Sequence, residues 1–180
     1  MIGMDEVGRG AWAGPLLVCA ARLNKPVLGL KDSKKLSKKQ REVLSAEILK
    51  NADIGYGWVS ATRIDDIGLS SALQEAFQIA YLQIKQTTDE LIIIDGIINY
   101  LPGVLNVENH IKADDEYPSV SAASIVAKVA RDNYMAELSL EYPSYGFAKH
   151  VGYGTKIHSL ALEQYGPLPK IHRYSFKPIK

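Results

Sequence analysis

The residues richest in possible chemistry stand at the start of the chain. In MIGMDEVGRG, Asp5 and Glu6 are adjacent, and the turn residues Gly8, Arg9 and Gly10 follow at once. Neighbouring carboxylates among apolar residues repel one another and are costly to bury unless positive charge meets them. A second apolar run, LIIIDG at residues 91–96, ends in Asp95. A third acidic group, Asp114, Asp115 and Glu116, lies in KADDEYPSVSAAS at residues 112–124, ahead of a helical pattern. A lone acid at a strand end is ordinarily a turn residue or cap, and acids before a helix ordinarily complement its dipole. Several acids converging on one place call instead for a divalent cation. Hard cations such as Mg²⁺ take oxygen ligands and keep waters, leaving room for substrate phosphates. Two ions ~3.5–4 Å apart are the usual layout for phosphoryl chemistry.

The glycines beside the first acids let backbone N–H groups approach a phosphate closely, and Arg9 adds charge. Gly8-Arg9-Gly10 is too short for a dinucleotide fingerprint, because Trp12 and Ala13 occupy the next places. DSKKLSKKQR at residues 32–41 sets Lys34, Lys35, Lys38, Lys39 and Arg41 around a helix start, as a solvated face or as contacts to a phosphate backbone. KHVGYGTKIH at residues 149–158 places Tyr153 between Gly152 and Gly154, where an accessible ring could stack on a sugar or base. HRYSFKP at residues 172–178 sets His172 and Arg173 beside an aromatic and says little alone. Asp65, Asp66 and Asp132 read as solvated surface acids.

For these groups to meet, the elements carrying them must be neighbours. Strands are predicted at residues 2–7, 14–23, 52–60, 91–96 and near 104–109. Helices are predicted from the Ser37 cap through residue 50, from Leu69 to Ile84, over 121–138 and over 155–166, stopped by Gly166 and Pro167. Strands that come first as a meander and then alternate with helices predict an α/β sheet of mixed direction. In such sheets ligands collect at the carboxyl ends of strands, where Asp5 and Asp95 stand. Asp5 and Glu6 should face apart on a regular strand. A bend or bulge at residues 6–8 is therefore predicted.

Composition sets outer limits. The chain has 180 residues, is 47% hydrophobic and 23% charged, and carries a net charge of +1. That fits one domain able to fold without staples, and a local basic groove rather than a uniformly basic coat. The single cysteine, Cys19, lies in an apolar run and reads as a buried thiol. No signal peptide and no run of ~20 apolar residues is visible, so a cytoplasmic protein without membrane contact is expected.

Six motifs in order and register resemble those of ribonuclease HII: DEVGRG at 5–10, DSKKL at 32–36, IIIDG at 92–96, KADDEYPSVSAASIVAKVARD at 112–132, KHVGYGT at 149–155 and HRYSF at 172–176. The resemblance covers nearly the whole chain. It implies an α/β fold of ribonuclease H type, a mixed five-stranded sheet flanked by helices. The chain would be a single catalytic domain over 1–180, with roughly 140–180 as a helical C-terminal extension packed on it. It implies that Asp5, Glu6, Asp95 and Asp114 are the catalytic acids and bind Mg²⁺ or Mn²⁺ in a two-metal mechanism; the motif, not the spacing, selects Asp114 over Asp115. Gly8, Arg9, Gly10 and Tyr153 would read the ribonucleotide, with Lys34 and Lys35 on the backbone. The implied partners are an RNA–DNA hybrid and duplex DNA carrying a ribonucleotide. Cleavage would fall 5′ of the ribonucleotide, leaving 3′-hydroxyl and 5′-phosphate ends. Nothing demands an oligomer, and a monomer is expected. A ribonuclease HIII-like hybrid nuclease, a sheet nuclease for DNA junctions and a non-catalytic binding module are the alternatives. Cleavage that needs a 2′-hydroxyl separates the first from the other two.

Overall fold

Aliphatic runs form the middle of a five-stranded sheet in the computed structural model, which describes residues 1–30, 36–84 and 90–179. The strands are β1 (Ile2–Val7), β2 (Leu16–Leu23), β3 (Ala52–Val59), β4 (Ile92–Asp95) and β5 (Val107–His110), in the order β3-β2-β1-β4-β5. The first three are antiparallel, and β4 and β5 run parallel to β1. The mixed sheet expected from the sequence is present. Strand β2 begins at Leu16 rather than residue 14, because Gly14 turns the chain at φ +80°.

Both faces of the sheet are covered, which explains the nearly continuous apolar run of β2. On one face Met4, Leu16, Val18 and Ile94 meet Leu73, Ala76, Phe77 and Ala80 of α3 (Leu69–Gln83). The small residues of α3 bring it directly onto β3: a Cβ at Gly55 or Gly57 would strike the Ala80 or Ala76 carbonyl. On the other face Leu17, Cys19 and Ala21 meet Ile48 of α1 (Lys38–Asn51) and Ala122, Ala123 and Val126 of α5 (Pro118–Glu141). The Ser37 cap of α1 forms as expected: Ser37 accepts from the Gln40 amide at 3.4 Å, and Gln40 accepts from the Ser37 amide at 2.9 Å. Cys19 is buried, and burial pushes its thiol pKa well up, as an inert core thiol requires.

Helix α5 starts three residues before the predicted 121, because Pro118 fits the first turn of a helix. Gly3 lets that first turn approach β1, since a Cβ there would strike the Ser119–Val120 backbone. Helix α2 (Ala61–Ile67), which the periodicity did not signal, caps on Ser60. It carries Asp65, and that acid is no solvated surface residue. Its carboxylate accepts from the amides of Tyr174 and Ser175 at 2.8 and 2.9 Å, tying down the C-terminal segment. Asp132 likewise is paired, with Lys128 at 2.8 Å one turn back on α5. The remaining helices are α4 (Ala113–Glu116), α6 (Phe147–His150) and α7 (Lys156–Tyr165). Ala13, Met135, Leu138, Tyr145, Phe147 and Ala161 join the C-terminal segment to the end of α5.

Candidate active site

The parallel ladder between β1 and β4 pairs Met4 with Ile94 and ends there. Asp5 and Asp95 therefore stand side by side on neighbouring strands, one step beyond the last pair, and share the face that α5 covers. Glu6 pairs with Val18 and Val7 with Leu17 in an unbroken antiparallel ladder. No bulge forms, since β1 stays regular through Val7; the bend falls at Gly8, where the chain turns with φ +86°.

The two acids reach one place by another route. The Ile2 amide bonds the Leu91 carbonyl, so the even-numbered amides of β1 face β4. Where β4 stops, the Glu6 amide would be left over. Instead it donates to Asp5 Oδ1 at 2.8 Å, drawing that carboxylate over the strand edge. The Ser124 hydroxyl of α5 also bonds Asp5. Burial, followed by the charges of Glu6 and Asp95, pushes the Asp5 pKa up to about 7. Burial and Asp95 also raise Glu6, against the pull of Arg9, whose guanidinium stands 3.6 Å away. Both acids thus feel Asp95, and their meeting point is an open strand edge rather than a face.

Asp95 Oδ1 accepts from the Ala113 amide at 2.9 Å, and Asp114 is the next residue along the chain. Asp114 is buried, whereas Asp115 and Glu116 are exposed. Asp114 and Asp115, which spacing did not separate, thus differ in burial. Among the described residues no three carboxylates or imidazoles close into a tight cage. Asp5, Glu6 and Asp95 form a group whose charges act on one another. Its chemistry fits a divalent cation, because a buried carboxyl beside two further acids is relieved by one.

Gly8 and Tyr153, distant in sequence, are in direct contact: the Gly8 amide donates to the Tyr153 hydroxyl at 3.1 Å. Gly8 is needed for the protein's own packing, since its φ is positive and a Cβ would strike the Arg131 side chain. Gly10 is different. A Cβ there would meet nothing within 4 Å, so the space beside it is open. Lys34 and Lys35 lie outside the described residues. Ser124, Arg131, His150 and His158 stand around the acids, Gly8 and Tyr153 without a role assigned from the sequence, and His172 and Arg173, which said little alone there, are buried beside them. Arg131 had a signal: it follows Ala127 and precedes Met135 on the apolar stripe of α5, where a charge is out of place.

Three histidines hold the Tyr153 loop from beneath. His172 Nδ1 accepts from the Leu168 amide at 2.8 Å, so its proton sits on Nε2, facing His158 Nε2 at 3.1 Å. His158 then carries its own proton on Nδ1 and donates to the Tyr153 carbonyl at 3.0 Å. His150 accepts from the Gly152 amide at 3.2 Å and donates to the Tyr145 carbonyl at 2.8 Å. Each ring nitrogen has its partner only while all three rings are neutral. Burial holds His158 and His172 down to about 4. The unfolded chain takes up these protons near the ordinary value of 6.5, so the stability they contribute is complete above that pH and is lost as pH falls toward 4. An NMR titration of the imidazole nitrogens is expected to keep both rings neutral down to about pH 4; midpoints at the ordinary histidine value would contradict this arrangement.

The sequence profile of ribonuclease HII matches residues 2–179. A ribonuclease HII from Sulfurovum sp. (strain NBC37-1) is 46% identical over 178 residues, which span 98% of this chain and 91% of that protein. One from Chlamydia muridarum is 45% identical over 182 residues, 99% of this chain and 82% of that protein. Among solved structures, the ribonuclease H2 of Pyrococcus horikoshii superposes with a TM-score of 0.83 at 28% identity, over 99% of this chain and 94% of that one. The ribonuclease HII in a PCNA complex from Archaeoglobus fulgidus gives the same TM-score, 0.83, at 28% identity, over 96% and 92%. Bst ribonuclease HIII in complex with Mn²⁺ shares the fold, with a TM-score of 0.75 at 22% identity, over 99% of this chain and 67% of that one. With a ribonuclease H-type sheet and a family match along nearly its whole length, the chain belongs to the ribonuclease HII family, hydrolases of the type 2 ribonuclease H class.

Proposed function

We propose that the protein is a divalent-metal-dependent endonuclease that hydrolyses the RNA strand of RNA–DNA hybrids and cuts 5′ of single ribonucleotides embedded in duplex DNA, leaving 3′-hydroxyl and 5′-phosphate ends. The observation that carries this reading is the joining of two parts within ten residues. The crowded acids at Asp5, Glu6 and Asp95 stand next to a glycine turn bonded to Tyr153. Asp5, Glu6, Asp95 and Asp114 would hold Mg²⁺ or Mn²⁺. Bound there, the ions supply charge against the scissile phosphate and favour deprotonation of the attacking water.

The protein's own groups do the rest. Ser124 and the Glu6 amide fix the Asp5 carboxylate, and the Ala113 amide fixes Asp95, so the acids are aimed before substrate arrives. The turn and Tyr153 supply hydrogen-bonding groups for the sugar. Only the 2′-hydroxyl marks RNA at a given site, and a site built to bond a hydroxyl rejects the deoxy analogue because its own polar groups are left unpaired. One molecule over 1–180, acting as a monomeric domain, suffices for both tasks.

The test is a set of four substrates, RNA–DNA hybrid, RNA duplex, DNA duplex and branched all-DNA junction, each incubated in EDTA and then in excess Mg²⁺ or Mn²⁺. Cleavage of the hybrid alone, and only with metal, is expected. Cleavage in EDTA would remove the metal from the reading, and cleavage of branched all-DNA substrates would replace the reading with a junction nuclease.

A further inference from the structure

The turn that precedes Ala11 is closed by the Ala11 amide on the Gly8 carbonyl at 3.2 Å. The amides of Arg9 and Gly10 have no hydrogen-bond partner among the described residues. Their carbonyl counterparts are held. The Arg9 carbonyl, in one peptide unit with the Gly10 amide, accepts from Arg173 Nη1 at 3.0 Å. All peptide bonds here are trans, and a trans peptide points its C=O and N–H to opposite sides. With the Arg9 carbonyl drawn inward onto Arg173, the Gly10 N–H is aimed outward. The Gly8 carbonyl, drawn onto Ala11, aims the Arg9 N–H away in the same manner. Two successive outward amides make a concavity for an oxygen ligand or anion. The empty space at Gly10 lies beside them.

Arg173 is fully buried, and its hydrogen bonds all run to backbone carbonyls. Its Nε and Nη2 both bond the Gly14 carbonyl, at 3.1 and 3.0 Å, and its Cζ stands 5.2 Å from the Phe176 ring. Beside it, buried Arg131 bonds the carbonyls of Pro15 at 2.9 Å, Val151 at 2.8 Å and Ala13 at 3.1 Å, and lies 5.5 Å from the Tyr153 ring. Among the described residues neither guanidinium is hydrogen-bonded to a carboxylate. Burial and the charge of Arg131 pull the Arg173 pKa down to about 9. Two guanidiniums held in the interior by carbonyls alone are a costly arrangement, and both stand directly behind the turn.

We propose that Arg173 is a positioning and specificity-determining residue: by pinning the Arg9–Gly10 peptide it holds the Gly10 and Arg9 amides toward the sugar hydroxyl and phosphate of the ribonucleotide. This rests on the proposed reading that the turn reads the ribonucleotide. The fork is essential, since one planar group spans both the Arg9 and the Gly14 carbonyls, which an ammonium cannot do. The buried charge pair behind the peptide adds a positive field at the same spot.

The experiment measures binding by fluorescence anisotropy in the Asp95→Asn background with Mg²⁺, so that no substrate is consumed. Two duplexes are compared, identical but for one 2′-hydroxyl. Adding Arg173→Lys is expected to lower the preference for the ribonucleotide duplex by about tenfold or more while all-DNA affinity changes little. Equal weakening of both duplexes, or an unchanged preference in a folded variant, would overturn the proposal. Should Arg173→Lys fail to fold, Arg173→Gln, which keeps a planar donor but loses the fork, decides on the same ratio, and Gly10→Ala tests the turn itself. The methyl at Gly10 enters open space, so the fold is kept; an unchanged preference there refutes the reading of the turn, and an unchanged preference in Arg173→Gln refutes the role of Arg173. A background protein that shows no preference at all would instead overturn the reading of the turn itself, and the role of Arg173 with it.

Discussion

Asp95→Asn is expected to lower cleavage of an RNA–DNA hybrid by about a thousandfold, or about 4 kcal/mol of transition-state stabilisation, while leaving the fold intact. The asymmetry follows from the bonds around Asp95. Its structural contact is the hydrogen bond accepted from the Ala113 amide at 2.9 Å, and an asparagine carbonyl oxygen can accept the same bond. The charge cannot be replaced. Asp95 interacts electrostatically with both Asp5 and Glu6. Neutralising it relieves repulsion on both neighbours, so thermal stability without metal should stay level or rise. A loss of activity accompanied by unfolding would mean that Asp95 is a structural residue. Full activity with metal supplied would remove it from the catalytic set.

The second large effect is expected at Tyr153. Tyr153→Ala should reduce cleavage at a single embedded ribonucleotide by about a hundredfold or more. The change deletes the ring near Arg131 and the acceptor of the Gly8 amide. Tyr153→Phe separates the two. It keeps the ring but leaves the Gly8 N–H without its bond, at a cost of about 1–3 kcal/mol for a group that water cannot readily reach. An intermediate loss is therefore expected for phenylalanine. If Tyr153→Ala cuts the single-ribonucleotide duplex as well as the unaltered protein does, Tyr153 takes no part in recognition.

These effects also show which parts of the site a sequence can disclose. The strands carrying Asp5 and Asp95 were legible because an aliphatic run that ends in an acid fits a buried strand reaching the edge of its sheet. The longer helices α1, α3, α5 and α7 were legible from apolar spacing and from caps such as Ser37. How Asp5 and Glu6 serve one site was not. Strand alternation predicts opposed faces, and the resolution lies in β4 stopping at Asp95, which leaves an edge for Asp5 to fold over. Sequence spacing holds no record of where a neighbouring strand ends. Asp65 was misjudged for a similar reason: its partners, Tyr174 and Ser175, come from the other end of the chain. Arg173 says little in the sequence, where it stands beside an aromatic with no partner in view. Only the fold shows it buried against the Arg9 and Gly14 carbonyls.

The most direct measurement uses a DNA duplex with one ribonucleotide, labelled at its 5′ end, in Mg²⁺ with an all-DNA duplex as control. Acids and turn working as one site predict a single product that ends in a 3′-hydroxyl immediately 5′ of the ribonucleotide, and an uncut control. No cut at the ribonucleotide, or equal cutting of the all-DNA duplex, would contradict the assignment.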